Sequence, residues 1–539
     1  MKHIVLIFLF GLFAFSSIAQ EKYWVFFTDK GPYENSMDAS VFVSQRSVER
    51  REKQEIEFSD SDLPVFSGYL EELKKLDVAI KQKSKWLNAV SIATSPQNID
   101  VIKNLPFVTN IRPIQSLVKQ NTQSEQYHTV LSAKTTIDPL NYGPSGNQVF
   151  LVNGQYLHQN GNLGEGMLIA VLDGGFQGVE SYSAFDSLWA RNGMQSSYNF
   201  VTGDTNVYVP GLGMHGMSVL SLMTGYVDGQ VIGTAPKATY VLLTSEDETQ
   251  ETKAEEDNWV AAIEYADSVG ADIINSSLGY NTFDGGIGNY TLDDLDGRTA
   301  ITSIAANMAA RKGILVVNSA GNEGVSAWQK IITPADADSI LTVGAVDANG
   351  VYAQFSGRGP TADGRIKPEI VAQGASVYHI SFGGLLSVGS GTSFSSPIIA
   401  GLSACLWQRH PNATAMEIRD AIIQSADKFD NPDNSSGYGI PNFLIADALL
   451  NDSVETELDE LTLMPNPFTN VITLYAPAQQ FPVQVEIVIN DMQGNIVKEM
   501  KKELYYNFTE FDDFALLPAG VYIFQVKYNG KVHKIKMIK

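Results

Sequence analysis

Three side chains in this 539-residue sequence suit nucleophilic catalysis: a serine among small residues, a histidine beside glycine, and an aspartate closing an apolar run. The serine is Ser393, in Gly389-Ser390-Gly391-Thr392-Ser393-Phe394-Ser395-Ser396-Pro397. Small residues predict a tight loop as far as Ser393, and from Pro397 the apolar Ile398, Ile399, Leu402 and Leu406 take helical spacing. Ser393 is thereby expected at a helix N-terminus, where free N–H groups and the helix dipole favour an alkoxide or a tetrahedral oxyanion. Alone, such a serine is more often a helix cap. Of the seven histidines, only His215 sits among small residues opening a helical pattern, in Gly213-Met214-His215-Gly216-Met217-Ser218. Asp173 follows the apolar run 167–172 and precedes Gly174-Gly175, so its carboxylate is expected at a sheet edge. In the order Asp, His, Ser the three form a recognised triad arrangement. The base takes the serine proton and the carboxylate orients the base, which is the chemistry of acyl transfer.

Positioning three groups so distant in sequence demands a large fold, and the middle of the chain predicts one. Strands are expected at 167–172, 239–244, 271–275, 314–319 and 340–346, with helices at 258–269 and 299–312. This alternation predicts an α/β architecture with a doubly wound, mostly parallel sheet, whose functional groups gather at the carboxyl ends of strands. Asp173, Ser276-Ser277-Leu278-Gly279 and Ser319-Ala320-Gly321-Asn322 all fall at such ends. Residues 20–115 read as a small α+β domain of split βαβ type. Its strands are expected near 23–28, 78–81, 89–93 and 109–113, and its helices near 41–54, 69–76 and 96–104. The first of those helices carries Arg46, Arg50 and Arg51. Residues 116–138 turn polar and aperiodic, as an exposed linker and processing zone would. After the acidic spacer 452–460, strand-like runs at 471–475, 483–489, 496–501, 521–527 and 532–538 alternate with turns, predicting a small antiparallel β-sandwich.

The N-terminus reads as a signal peptide: Lys2 and His3, an apolar run 4–15, then Ser17-Ile18-Ala19 with cleavage expected after Ala19. The run is short for a membrane span and no later stretch qualifies, so no transmembrane anchor is expected. Cys405 is the sole cysteine, which excludes an intramolecular disulfide and suits a buried small hydrophobe. Nearly all of the net charge of −23 lies in 141–455, which carries −21. That acidity argues against nucleic acid as a partner, because phosphates call for a basic surface.

Four separated segments give the middle region a resemblance to the subtilisin-like serine peptidases across roughly 145–450. They are Ile169-Ala170-Val171-Leu172-Asp173 with Gly175, His215-Gly216, Ser319-Ala320-Gly321-Asn322-Glu323-Gly324, and Gly391-Thr392-Ser393 with Pro397. The resemblance implies catalysis by Asp173, His215 and Ser393, with the Asn322 side chain and the Ser393 backbone N–H holding the oxyanion. It also implies that Ser277, Leu278 and Gly279 pair with substrate backbone and, with Ser319, Ala320 and Gly321, line a primary specificity pocket. Those small residues suggest a roomy, mostly apolar pocket with Glu323 at its rim. No cofactor is required for such chemistry. Structural calcium is common in the family, but its ligands do not map onto this chain, so the metal site is unknown.

The N-terminal domain resembles the inhibitory, chaperone-like prodomain of the same family. The tail, with Pro465-Asn466-Pro467, Gly520-Val521-Tyr522 and a basic end, resembles a type IX secretion sorting domain. The implied layout is signal peptide 1–19, prodomain 20–115, linker 116–140, catalytic domain 141–451, linker 452–462 and sorting domain 463–539. The implied protein is a precursor secreted from, or held at the surface of, a bacterium. Its partners are a protein or peptide substrate, its own prodomain and the secretion machinery. The rival reading is a catalytically inactive binding protein on the same scaffold.

Several features depart from the family pattern. Gly174 replaces a Thr or Ser, Met217 and Ser218 stand for Thr and His, and Ser395 replaces Ala. The acidic run Glu246, Asp247, Glu248, Glu251, Glu255, Glu256 and Asp257 reads mainly as a solvated helix start. Glu246 or Asp247 is the candidate selector of basic residues on the acyl side of the cut. Asp293, Asp294 and Asp296 read as a solvated turn, with calcium as the alternative. The near-neutral N-terminal domain is expected to show no strong electrostatic pairing with the acidic domain beside it.

Overall fold

The computed structural model describes residues 21–35, 37–114, 140–209, 213–248, 250–286 and 288–451, and most of 461–539. The expected signal peptide, the linker 116–138, the spacer 452–460 and Pro465-Asn466-Pro467 lie outside the described residues.

The N-terminal unit is an antiparallel four-stranded sheet. Its strands are β1 (Glu21–Phe27), β2 (Ala79–Ser84), β3 (Ala89–Thr94) and β4 (Val108–Ile114), in the order β2-β3-β1-β4. Helices α2 (Ser67–Lys74) and α3 (Pro96–Lys103) complete the split βαβ pattern, and α1 (Gln45–Lys53) belongs to a long connection between β1 and α2. Ser44 caps α1 through its side chain, which accepts from Ser47 N–H.

The middle region holds a seven-stranded sheet. Its strands are β5 (Leu168–Asp173), β6 (Met194–Asn199), β7 (Thr239–Thr244), β8 (Ile273–Ser276), β9 (Leu315–Ser319), β10 (Leu341–Val346) and β11 (Ile370–Gln373). Their order is β11-β10-β9-β8-β5-β7-β6, and every pairing is parallel. Apolar runs such as LIAVLD and LTVGAV are what a sheet covered on both faces requires. Alternate residues divide between the faces. Ile169 and Val171 pack with Met217, Leu220, Ile398 and Leu402 of α4 (His215–Thr224) and α7 (Thr392–Arg409). Leu168, Ala170 and Leu172 pack with Trp259, Ile263 and Ala305 of α5 (Lys253–Val269) and α6 (Ile301–Arg311). Trp24, Trp86, Ala89 and Ile114 join this second cluster, so the N-terminal sheet shares a core with the outer face of α5 and α6.

Several strands escaped the sequence reading. β6 is a polar edge strand, MQSSYN, with no apolar run to mark it. β11 is short, and the hairpin of β12 (Val377–Ser381) and β13 (Leu385–Gly389) mixes polar and apolar residues. The helix expected from Pro397 begins at Thr392, with the proline inside it. Proline offers no N–H to the carbonyl four residues back, and that carbonyl, Ser393 O, accepts from Ser277 Oγ at 3.0 Å instead.

The C-terminal unit comprises a three-stranded and a four-stranded antiparallel sheet around one apolar cluster. Thr462–Met464 and Phe508–Phe511 are strands beyond the five expected.

Candidate active site

Strand β5 ends at Asp173, which is fully buried. Its Oδ1 accepts from Gly174 N–H at 2.8 Å and from the His215 ring Nδ1 at 2.7 Å. A carboxylate held on Nδ1 leaves Nε2 as the basic nitrogen. His215 opens α4, and Gly216 permits the approach. A Cβ at 216 would lie 2.7 Å from Gly175 O and 2.8 Å from Asp173 Cβ.

Ser393 is the second residue of α7 and shares one cleft of about 830 Å³ with Asp173, His215 and Asn322. Its Oγ is turned toward Ser277 O at 3.4 Å. Asn322 is fixed by its carbonyl. Oδ1 accepts from Thr392 N–H at 2.9 Å and Thr392 Oγ1 at 3.1 Å, and Thr392 Oγ1 in turn accepts from Gly321 N–H at 3.1 Å. With the oxygen engaged, Nδ2 is left as the donor, 3.5 Å from where a Cβ would stand on Gly391. Two donors, Asn322 Nδ2 and the start of α7, thus border the nucleophile candidate, as an oxyanion requires.

Of the six residues expected to bind substrate, Ser277, Leu278, Gly279, Ser319 and Gly321 line the cleft. Ala320 does not. It is buried among Leu295, Ile331 and Ala335, because alternate residues of an extended segment face opposite ways. The segment is tied down from beneath: Asn318 Nδ2 donates to Leu278 O at 3.2 Å and to Ser319 O at 2.8 Å.

Two expectations need correction. The acidic run is no solvated helix start, since Glu246, Glu255, Glu256 and Asp257 are buried. α5 begins at Lys253, and its first turn is capped by Thr252 and Glu255. Glu246 and Asp247, the candidate selectors of basic residues, both line the cleft, Glu246 almost wholly buried. Tyr280 OH donates to it, and burial, reinforced by Glu255 and Glu251, pushes its carboxyl well above the usual range. Burial likewise raises Glu255 to about 8. Lastly, the N-terminal unit does pair electrostatically, through local clusters that its near-zero net charge conceals. Arg50 and Arg51 both bond Asp267, at 2.6 and 2.8 Å, and Lys312 bonds Asp62 at 2.7 Å.

Sequence reasoning missed Glu248 and His379. The Glu248 carboxylate lies over the Cα positions of Gly174 and Gly213 and accepts the His215 backbone N–H at 3.3 Å. It occupies the place beside Asp173 where Gly174 offers no side chain. His379 stacks on Phe394 with ring centroids 4.6 Å apart, and burial lowers it to about 4, so it is neutral. The turn of Asp294 and Asp296 directs its oxygens to its own Thr291, Arg298 and Thr299. Among the described residues no group of three His, Cys, Asp or Glu is arranged to hold a metal ion. Nor is any described helix long and apolar enough to cross a membrane.

Known proteins resemble this chain in three segments. The sequence profile of the Subtilase family matches residues 164–439. Those of the Peptidase S8 propeptide domain, Bacteroidota, and of a secretion system C-terminal sorting domain match 22–128 and 462–539. The chain is 30% identical to subtilisin E of Bacillus subtilis over 274 residues, 50% of this chain and 63% of that protein. It is 30% identical to subtilisin of Bacillus pumilus over the same share of this chain and 87% of that protein. The alignment therefore leaves more than a third of subtilisin E outside. Among solved structures, the prenylagaramide maturation protease PagA is 24% identical, with a TM-score of 0.42 over 55% of this chain and 98% of its own. With a matched segment covering half its length, the chain belongs to the subtilase family.

Proposed function

We propose that the protein is a serine endopeptidase made as a precursor. The observation that carries this reading is the 2.7 Å bond from His215 to a buried Asp173, in one cleft with Ser393 and Asn322. Ser393 Oγ, released from Ser277 O by rotation about χ1, attacks the scissile carbonyl while His215 takes its proton. The carbonyl oxygen becomes an oxyanion, held by Asn322 Nδ2 and the Ser393 N–H. His215 then protonates the departing amine, leaving an acyl-serine, and repeats the cycle with water. Asp173 fixes the imidazole tautomer and stabilises its charged form. All of these groups are side chains or backbone of this chain.

In this reading residues 20–115 are the folding aid and inhibitor, the cut falls within 116–140, residues 141–451 are the catalytic unit, and 463–539 direct export. The substrate is protein or peptide, met outside the cell or at its surface. Labelling by a fluorophosphonate tests the assignment: Ser393 is expected to be modified, and His215→Ala to abolish the modification. A folded protein that resists the reagent would favour the rival, a binding protein on the same scaffold.

A further inference from the structure

The ends of β8 and β9 form two facing walls, Ser277-Leu278-Gly279 and Ser319-Ala320-Gly321, and glycines at 279 and 321 would ordinarily leave an open slot between them. The slot is filled. Ile332 enters it from a segment attached to both walls. Its N–H donates to Ala320 O at 3.2 Å, while Tyr280 and Thr333 exchange backbone bonds of 2.7 and 3.1 Å. A Cβ built on Gly279 would lie 2.6 Å from both Cγ1 and Cδ1 of Ile332. One built on Gly321 would lie 2.7 Å from Cγ1 and 3.0 Å from Cδ1. The same two carbons therefore press on both glycines, which sets the longer branch of the isoleucine midway between the walls. Ile332 is 8% exposed and borders the cleft. As a β-branched residue in a segment bonded on both sides, it has little freedom to swing aside.

We propose that Ile332 limits the size of the residue on the acyl side of the cut bond, so that the enzyme cleaves after Gly, Ala or Ser and excludes Phe, Leu and Lys. The inference rests on the peptidase reading and deepens it by naming a substrate class. The roomy pocket expected from the small residues is thereby replaced by a shallow one. The glycines make room for Ile332, not for substrate.

The test uses the full chain after self-processing, with active sites counted by fluorophosphonate. Peptides differing only at the residue before the cut (Ala, Phe or Lys) are compared by kcat/KM. The unaltered protein is expected to favour Ala over Phe by ~10² or more, since pockets discriminate by roughly 10–200-fold per methylene. Ile332→Gly is expected to raise kcat/KM for Phe by ~10² while changing Ala by less than about threefold, with Ile332→Val intermediate. Equal or better cleavage after Phe by the unaltered protein overturns the proposal. So does an Ala-to-Phe ratio unmoved in the variants per counted active site. Should Ile332→Gly fail to fold, the unaltered protein and Ile332→Val still decide. A protein that neither takes up the reagent nor cleaves any of the peptides overturns the peptidase reading itself, a separate result from poor selectivity.

Discussion

At the seam beneath the N-terminal unit, Asp267 is enclosed by Arg50, Arg51 and Lys85. In the cleft, the equally buried Asp173 meets one imidazole and one backbone N–H. Burial alone would raise Asp267, but the three cations outweigh it and hold the carboxyl at about 2. Asp257, nearly three turns earlier on the same helix, receives only uncharged donors, among them the Trp24 indole at 2.5 Å, and burial pushes it up to about 7. A buried carboxylate thus keeps its charge where cations surround it and tends to lose it where only dipoles do. The seam pairs its cations with its carboxylates, although Nε of Arg50 and of Arg51 are buried without a hydrogen-bond partner among the described residues. In the cleft, Asp173 Oδ2 has no hydrogen-bond partner among the described residues, so that carboxylate is the less fully engaged of the two.

Breaking each region should therefore cost in a different quantity. The largest effect is expected from Ser393→Ala. Turnover should fall about 10⁶-fold, a magnitude borrowed from subtilisin itself, and mass spectrometry should find the precursor uncut between 116 and 140. In that inert background, Arg51→Met strands Asp267 and Asp62 with fewer cations. It should cost about 3–5 kcal/mol of stability in urea unfolding, whereas Arg46→Met, whose side chain is 38% exposed, should cost less than about 1 kcal/mol. Equal losses for the two would show that burial is not what distinguishes these pairs. Asn322→Ala should lower turnover by ~10²–10³ with little change in unfolding, again by analogy with subtilisin.

The mildest test is pH. Asp257 titrates near ~3.9 when unfolded and at about 7 when folded, so its contribution is fully present below pH ~4 and is lost as pH rises through about 7. Asp267 behaves oppositely: its contribution is present above pH ~4 and is lost as pH falls toward about 2. The melting temperature of the Ser393→Ala precursor should therefore decline from pH 5 to pH 8. Asp257→Asn, which keeps an acceptor for Trp24, should flatten that decline. An unchanged slope would move the cause to Glu255, raised to about 8 in the first turn of α5, and away from the seam.

Most strands of the central sheet were legible because both faces are covered, and a doubly buried strand must be apolar throughout. β6 was hidden for the converse reason: as an edge strand it carries Gln, Ser and Asn without penalty. The acidic run misled because charge density reads as exposure. Glu256 and Asp257 become tolerable inside because Lys253 and Tyr290 meet the first and Trp24 reaches the second across the fold. Small residues at 277–279 and 319–321 misled similarly, since the occupant of the space they leave comes from residue 332.

By itself, the sequence determined which groups are present and which elements carry them. Asp173 closes an apolar strand, His215 opens a helix beside glycine, and Ser393 begins another, all of which follow from local periodicity and turn chemistry. Only the tertiary structure decided what each group meets. It alone set the partners of Asp173, the burial of Glu246, the arginines on Asp267 and the isoleucine between two glycines. Local patterns specify backbone shape over a few residues, whereas partnership and free space depend on segments tens to hundreds of residues apart that pack only when the whole chain has folded.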